Sequence, residues 1–391
     1  MMAIPQLALK NLLGAGIRTW LNVIVLSFSF VAIIATQGLL EGMNDQVAQA
    51  MIDTEYGAGQ FWYGSYDPYD PLTLKDGHGV VPPAIDAAIE KGEATAILIV
   101  QGSLYVQGRV RPVLIKGIDP GQTVVRLPSS RFRPVPGEIP ALAGARMAKS
   151  GGMGVGDYVT LQWRDARGTF DAQDARIAEV FSTTVQSVDL NQVWIPLDTL
   201  RRVARMENEA TLVIARPGFV PPPAPDGWHF KSQDDLLSDI REVVRSKTVG
   251  SSVVYVILLL LALLAIFDTQ VLSVWRRRKE IGTLMALGMT RLKIIQLFTL
   301  EGAAHGVLAA LVAALYGIPL LGSLARDGWE LPAGVESYGF AIGERLFPVF
   351  SVGLVLGTTL LVLATTTVVS FLPVRRIADL KPTDALRGKF T

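Results

Sequence analysis

Glu301 and His305 stand four residues apart in "EGAAHG", inside an otherwise apolar run. At that spacing they share one helix face, and a carboxylate beside an imidazole within a span is a proton-relay or catalytic pattern. A polar face turned toward neighbouring helices is the other reading, and the favoured one, because buried polar pairs often serve only packing. Gly302 and Gly306, in the same turn, form a small-xxx-small motif that suits close helix contact. Asp268 ends another apolar run, about 10 Å before Trp275 along a continuing helix; the cytoplasmic interface is the favoured placement, with pairing to a base or lining a cavity as the alternatives. "AGARMAKS" (143–150) has the spacing of a phosphate-binding loop, but Ala143 and Ala148 stand where glycines are needed. "GGMGVG" (151–156) lacks a dinucleotide-binding context and reads as a turn. His78, His229 and His305 are far apart and there is no cysteine, which excludes thiolate chemistry and disulfides and disfavours a zinc site. No catalytic, metal or cofactor site is assigned to the chain.

The elements that hold these residues are long and apolar. Of 391 residues, 50% are hydrophobic and 18% charged, against about a quarter charged in soluble chains. The net charge of +1 points to no nucleic-acid partner. Uncharged stretches of 22 residues between Arg18 and Glu41, 20 between Lys247 and Asp268, and 29 between Arg345 and Arg375 join a run over 294–321 broken by Glu301 and His305. A spanning helix needs about 20 residues, so four spans are expected. The first is longer than a signal-peptide core and no clear small-x-small cleavage site follows it, so it is read as retained. Lys and Arg gather before the first span, at 276–293 and after the fourth. The positive-inside rule then puts both termini and 276–293 in the cytoplasm.

The segment between the first two spans is long enough for a folded domain. A helix over 82–92, strands within 94–118 turning near Gly108, a strand at 157–163, a helix at 197–206 and a strand at 211–215 give an α+β pattern. Ser232 and Asp235 fit a helix-capping signal, followed by a helix able to run on into the second span. The first span can likewise continue through 41–57, so that the outer domain would ride on two helical stalks. The aromatics of "QFWYGSYDPYDP" (60–71) are read as a strand and turn with core aromatics, with a partner or acyl-chain contact as the alternative. Arg126, Arg131, Phe132 and Arg133 lie in a Pro-rich stretch that reads first as a solvated loop, with a partner-docking loop as the other reading.

"WRRRKEIGTLMALGMTRLKI" (275–294) sits between two lipid-suited runs. If 281–295 is one helix, Ile281, Leu284, Met285, Gly288, Leu292 and Ile295 share a side, and the segment could lie on the membrane surface with its bases near headgroups. The words go further. "RRRKEIGTLMALGMTRLKIIQLFTLEG" resembles the cytoplasmic signature of the MacB/LolC/LolE/FtsX-type ABC transporter permeases, with Arg278, Glu280, Ile281, Gly282, Ala286, Leu287, Gly288 and Glu301 matching. "LALKNLLGAGIRTWLN" (7–22), "GEIPALAGARMAKSGGMGVGDYVTL" (137–161) and "PVRRIADLKPTDALRG" (373–388) are similar to further family stretches.

The resemblance implies a permease subunit of the bacterial inner membrane that dimerises with a copy or paralogue of itself. Two cytoplasmic ATPase subunits would bind ATP and Mg, and this chain would carry no cofactor. It also implies that Arg276, Arg277, Arg278, Lys279, Glu280, Ile281, Gly282, Leu284, Leu287 and Gly288 couple to that ATPase. The domains expected are 1–41 (N-terminus and first span), 42–247 (periplasmic domain), 248–275 (second span), 276–293 (coupling helix), 294–321 (third span), 322–345 (external loop), 346–372 (fourth span) and 373–391 (tail). Family members release lipoproteins, drive external pumps or activate wall hydrolases. The absence of a fused ATPase segment and the size of the outer domain favour lipoprotein release, with a periplasmic chaperone or lipoprotein as partner. Efflux and an ATPase-free membrane sensor are the alternatives.

Overall fold

The computed structural model describes residues 17–133, 137–183, 185–330 and 345–375. They fall in two compact units, one taking in residues up to Met43, Arg245–Glu330 and the chain from Arg345, the other Asn44–Val244. Residues 1–16 (with most of the 7–22 stretch), 134–136 of the arginine loop, 331–344 of the expected external loop and 376–391 of the tail lie outside the described residues. In chain order the elements are α1 (Ile17–Met51), a π-helical turn (Ile52–Tyr56), β1 (Gly59–Tyr63), β2 (Gly79–Val80), α2 (Pro83–Glu90), β3 (Ala94–Val106), β4 (Arg109–Ile118), β5 (Ile139–Gly144) and α3 (Ala145–Gly151). There follow β6 (Tyr158–Arg164), β7 (Phe170–Phe181), α4 (Gln186–Leu190), β8 (Gln192–Pro196), α5 (Leu197–Ala204), β9 (Glu209–Ala210), β10 (Leu212–Ala215) and β11 (Trp228–Ser232). The last elements are α6 (Gln233–Arg276), α7 (Arg278–Ala286), α8 (Arg291–Asp327), β12 (Trp329–Glu330), β13 (Arg345–Leu346) and α9 (Val352–Val374).

The Asn44–Val244 unit is built on one nine-stranded sheet. Gln107 and Gly108 both take positive φ, 48° and 73°, the two-residue turn whose twist suits a hairpin, and β3 and β4 pair outward from it. Strand β3 also pairs with β6, so the order β3–β4–β8–β5–β7–β6 returns to β3 and closes a ring. Closure leaves the six ring strands without the free edges that invite aggregation. Strands β10, β1 and β11 extend the sheet beyond β3. Side chains alternate across a strand: Leu98, Val100 and Leu104 enter one core, Ile97 and Ile99 the other. Phe61 is wholly buried, whereas Tyr69 is 73% exposed, so only part of the 60–71 aromatic cluster is core. At Ser232 the side-chain hydroxyl accepts from Asp235 N–H (3.2 Å), while Asp235 Oδ2 accepts from Ser232 N–H (3.0 Å), a reciprocal cap at the start of α6.

In the other unit, four helices are long and apolar enough to cross a membrane. Val23, Leu26, Phe30 and Val31 of α1, Ile266 of α6, Ala309 and Ala313 of α8 and Val362 of α9 make its central core. Polar side chains tie the helices as well: Asn22 Nδ2 donates to Thr269 Oγ1 at 2.5 Å, and Thr358 Oγ1 donates to Gln37 Oε1 at 3.1 Å. Leu315, Ile318, Val352 and Leu360 point outward, as lipid-facing positions do.

Three expected boundaries move. The fourth span begins at Val352 rather than 346, because Ser351 Oγ caps the helix by accepting from Leu354 N–H (3.2 Å). The residues before it are tied elsewhere: Arg345–Leu346 pair with Trp329–Glu330, and Val349 N–H donates to Gly38 O at 2.9 Å. The third helix reaches back to Arg291 and on to Asp327, so the start of the expected 322–345 loop is helical. The 276–293 segment is not one helix but α7, a turn, and the first turn of α8.

Candidate functional site

The turn that splits 276–293 has a local cause. Met289 N–H donates to Leu284 O (2.9 Å) and Gly288 N–H to Met285 O (3.0 Å), with Gly288 at φ 92°. This is the Schellman arrangement that ends a helix on a left-handed glycine. Thr290, extended at ψ 148°, precedes α8. A single helix over 281–295 is therefore excluded. Ile281 is buried while Leu292 is 65% exposed and Gly288 exposed, so the six residues expected on one side do not share it. What α7 buries is Ile281, against Val274, Ile294, Phe298 and Val374, with Leu284, Met285, Met289 and Ile295 partly covered around them. The apolar face thus packs on the chain's own helices, and Leu287, 80% exposed, projects from the end of α7.

Above this cluster Arg277 joins two carboxylates. Its Nη1 donates to both oxygens of Glu301, at 3.1 and 2.8 Å. Its Nε and Nη2 donate to Glu280, at 2.8 and 2.9 Å. The guanidinium lies 4.7 Å from the Phe298 ring centroid, a cation–π contact that desolvation strengthens. The planar fork of arginine permits this double engagement, and lysine would not. Hydrogen bonding to Glu280, then the nearby Glu301 charge, outweigh burial and raise the Arg277 pKa above its usual value. The same bond to Arg277 holds the Glu280 carboxyl below the usual carboxylate range. Glu301, with its side chain 8% exposed, is a buried charge that needs this partner.

The structure places the other expected residues variously. Arg276 and Lys279 are exposed, Gly282 is buried, and the Arg278 side chain lies outside the described residues. Glu301 and His305 do not form a side-chain dyad: His305 Nδ1 lies 2.9 Å from the Glu301 backbone carbonyl, while the carboxylate turns to Arg277. Asp268 is exposed beside inward-facing Gln270. Gly302 and Gly306 both lie against α9, where an added Cβ on Gly302 would come within 2.4 Å of Ser370 Cβ. Sequence reasoning missed Phe298, Val274 and Val374 as the bed of α7, and missed Arg277 as the partner of Glu301. A signal existed, since a lone carboxylate in a span calls for a cation and four bases precede it.

The arginine loop divides as well. Phe132 is buried in the core, only 5% exposed, and so cannot be offered to a partner. Arg126 bonds Asp53 (Nη1–Oδ2 2.9 Å), Arg131 approaches Glu179 at 3.8 Å, and Arg133 is exposed. The 143–150 stretch is the end of β5 and the helix α3 with Ala148 buried, not a loop that could wrap phosphates.

A family model described as the MacB-like periplasmic core domain matches residues 19–224, more than half of the chain, and one described as the FtsX-like permease C-terminal matches 252–382. The macrolide export ATP-binding/permease protein MacB of Wolinella succinogenes is 25% identical over 202 residues, 51% of this chain and 28% of that protein. The lipoprotein-releasing system transmembrane protein LolC of Neisseria meningitidis serogroup B is 23% identical over 321 residues, 73% of this chain and 76% of that protein. The extracellular domain of the noncanonic ABC-type transporter YknZ from Gram-positive bacteria superposes with a TM-score of 0.27 at 14% identity, covering 41% of this chain and 84% of that domain. That superposition is too slight to carry an argument.

Proposed function

From the premise that the chain belongs to the ABC transporter permeases that join a MacB-like periplasmic core to an FtsX-like permease end, we propose that it passes ATP-driven movement from a separate cytoplasmic ATPase to its outer domain. In this reading the termini and 276–293 are cytoplasmic, α7 with its projecting Leu287 meets the ATPase, and a second permease chain completes the complex. ATP and Mg belong to the ATPase. The observation that carries the reading is the Arg277 junction, which holds α7 on the third span through Glu301. A push received by α7 would then move α8 with it, because a buried ion pair is costly to part.

The substrate we infer is a lipoprotein or other lipidic molecule drawn from the membrane. The similarity to LolC supports it, running over 73% of the chain where the similarity to MacB runs over 51%. The MacB-like core model supports efflux of drugs, peptides or other substrates as the second reading.

Purification in mild detergent, with identification of bound proteins and lipids, tests the proposal. An ATPase bearing a phosphate-binding loop is expected to co-purify. In that complex Glu280→Lys puts a base beside Arg277, and we expect ATP hydrolysis to lose its link to transport while the chain stays folded. Normal transport by Glu280→Lys would remove the coupling assignment. Capture of a ligand with no ATPase would favour a membrane-anchored sensor.

A further inference from the structure

The outer face of the closed ring carries a pocket that the coupling reading does not use. Its volume is about 280 Å³, and Arg131, Arg133, Arg176, Glu138 and Glu179 line it with Pro140. That is far more than the ~30 Å³ of one water. The floor comes from three adjacent strands. Arg176 on β7 stands opposite Pro140 of β5 on one side and Tyr158 of β6 on the other. Its neighbours Ala175 and Ile177 are wholly buried, so alternation sends Arg176 outward. The wall is the short Ser129–Arg131 turn and Phe132. Phe132 is sunk in the core, and this sets Arg131 and Arg133 on either side of a fixed anchor.

The charges in the pocket are unevenly matched. Both carboxylates are engaged: Glu138 Oε1 accepts from the Tyr158 hydroxyl at 2.7 Å, and Glu179 faces Arg131 at 3.8 Å. The side chains of Arg133 and Arg176 make no hydrogen bond or ion pair among the described residues. Two guanidinium forks therefore face one concavity with neither carboxylate committed to them. Guanidinium forks match phosphate oxygens in pairs.

The geometry points to an oxyanion site in which Arg133 and Arg176 hold a phosphate group, supplied by a phospholipid headgroup or by a free phosphate. Arg131 borders the site and Glu179 opposes the ligand. The site stands apart from the ATPase-coupling assignment, and neither result bears on the other.

Calorimetric titration of the full chain in a neutral detergent tests it, with inorganic phosphate and water-soluble dihexanoyl phosphatidylglycerol as probes. The wild-type chain is expected to bind at least one of them. Arg133→Gln combined with Arg176→Gln should weaken binding about tenfold or more, the loss of charged hydrogen bonds. Glu179→Gln should tighten it. Arg202→Gln, which removes the same charge from exposed helix surface, should leave it unchanged, with melting temperatures confirming that all variants fold. Binding of the lipid alone assigns a headgroup, and binding of inorganic phosphate assigns a soluble anion. A wild-type chain that binds neither probe overturns the site, as does binding that survives the double substitution or falls equally in Arg202→Gln.

Discussion

Arg277 holds two carboxylates at once, and the burial of each decides what its loss costs. Glu301 is buried and Glu280 half-exposed, their side chains 8% and 49% exposed. Arg277→Ala strands the Glu301 carboxylate and should destabilise the chain by about 3–5 kcal/mol, read by unfolding in detergent. Glu280→Ala should cost only about 0.2–1 kcal/mol, as exposed pairs do. In a double-mutant cycle, Arg277→Ala with Glu301→Ala should cost less than the sum of the two by about 0.5–3 kcal/mol. Strict additivity would deny the pairing. The sign with pH follows from Glu280, whose folded pKa is depressed by Arg277. Its contribution is complete above the ordinary carboxylate pKa and is lost only as pH falls through the lower folded value. The pairing was only half legible in the sequence. Glu301 and the four bases were visible, yet 24 residues and a chain reversal separate the partners, and local periodicity cannot see across a reversal. The i, i+4 spacing pointed instead to His305, which turns to the backbone. Phe132 misled in the same way, since a lone phenylalanine between two arginines gives no local sign of burial.

At the level of elements, the turn after α7 rests on Gly288. Its φ of 92° is open to glycine and strained for other residues, although a Cβ there would meet nothing within 4 Å. Gly288→Ala should therefore cost about 1–2 kcal/mol through backbone strain alone, measured against Gly322→Ala in α8, where an added Cβ also meets nothing within 4 Å and φ is not positive. An unchanged stability for Gly288→Ala would mean that the turn is not held as described. Ser232→Ala removes the hydroxyl that caps α6 and should cost about 1 kcal/mol, seen as a lowered melting temperature of the sheet-built unit. Elements made by local chemistry were legible: the hairpin at Gln107–Gly108, the Ser232–Asp235 cap and the apolar spans all follow from residues within a few positions. The ring was not. It depends on β3 meeting β6, where Gly102 faces Trp163, and only tertiary packing selects that partner. The break at Gly288 was legible in principle, because a glycine followed by a threonine cap signals one helix ending and another starting. The continuous apolar pattern on either side concealed it.

For the whole molecule, four apolar helices and a separate sheet-built unit are joined by the proposed account, in which movement received at α7 would be passed on through the permease. The absence of cysteine from the sequence makes that contact directly measurable. Leu287 is 80% exposed at the end of α7, and Leu311, within the third span, is 62% exposed. Either position can carry the single thiol of the chain. Leu287→Cys, treated in native membranes with a short thiol-to-amine cross-linker, should form an adduct with an ATP-binding subunit, and the yield should change when ATP is added. Leu311→Cys should form none. Efficient modification of Leu287→Cys by a small thiol reagent, with no ATPase adduct in any nucleotide state, would contradict the coupling role of α7.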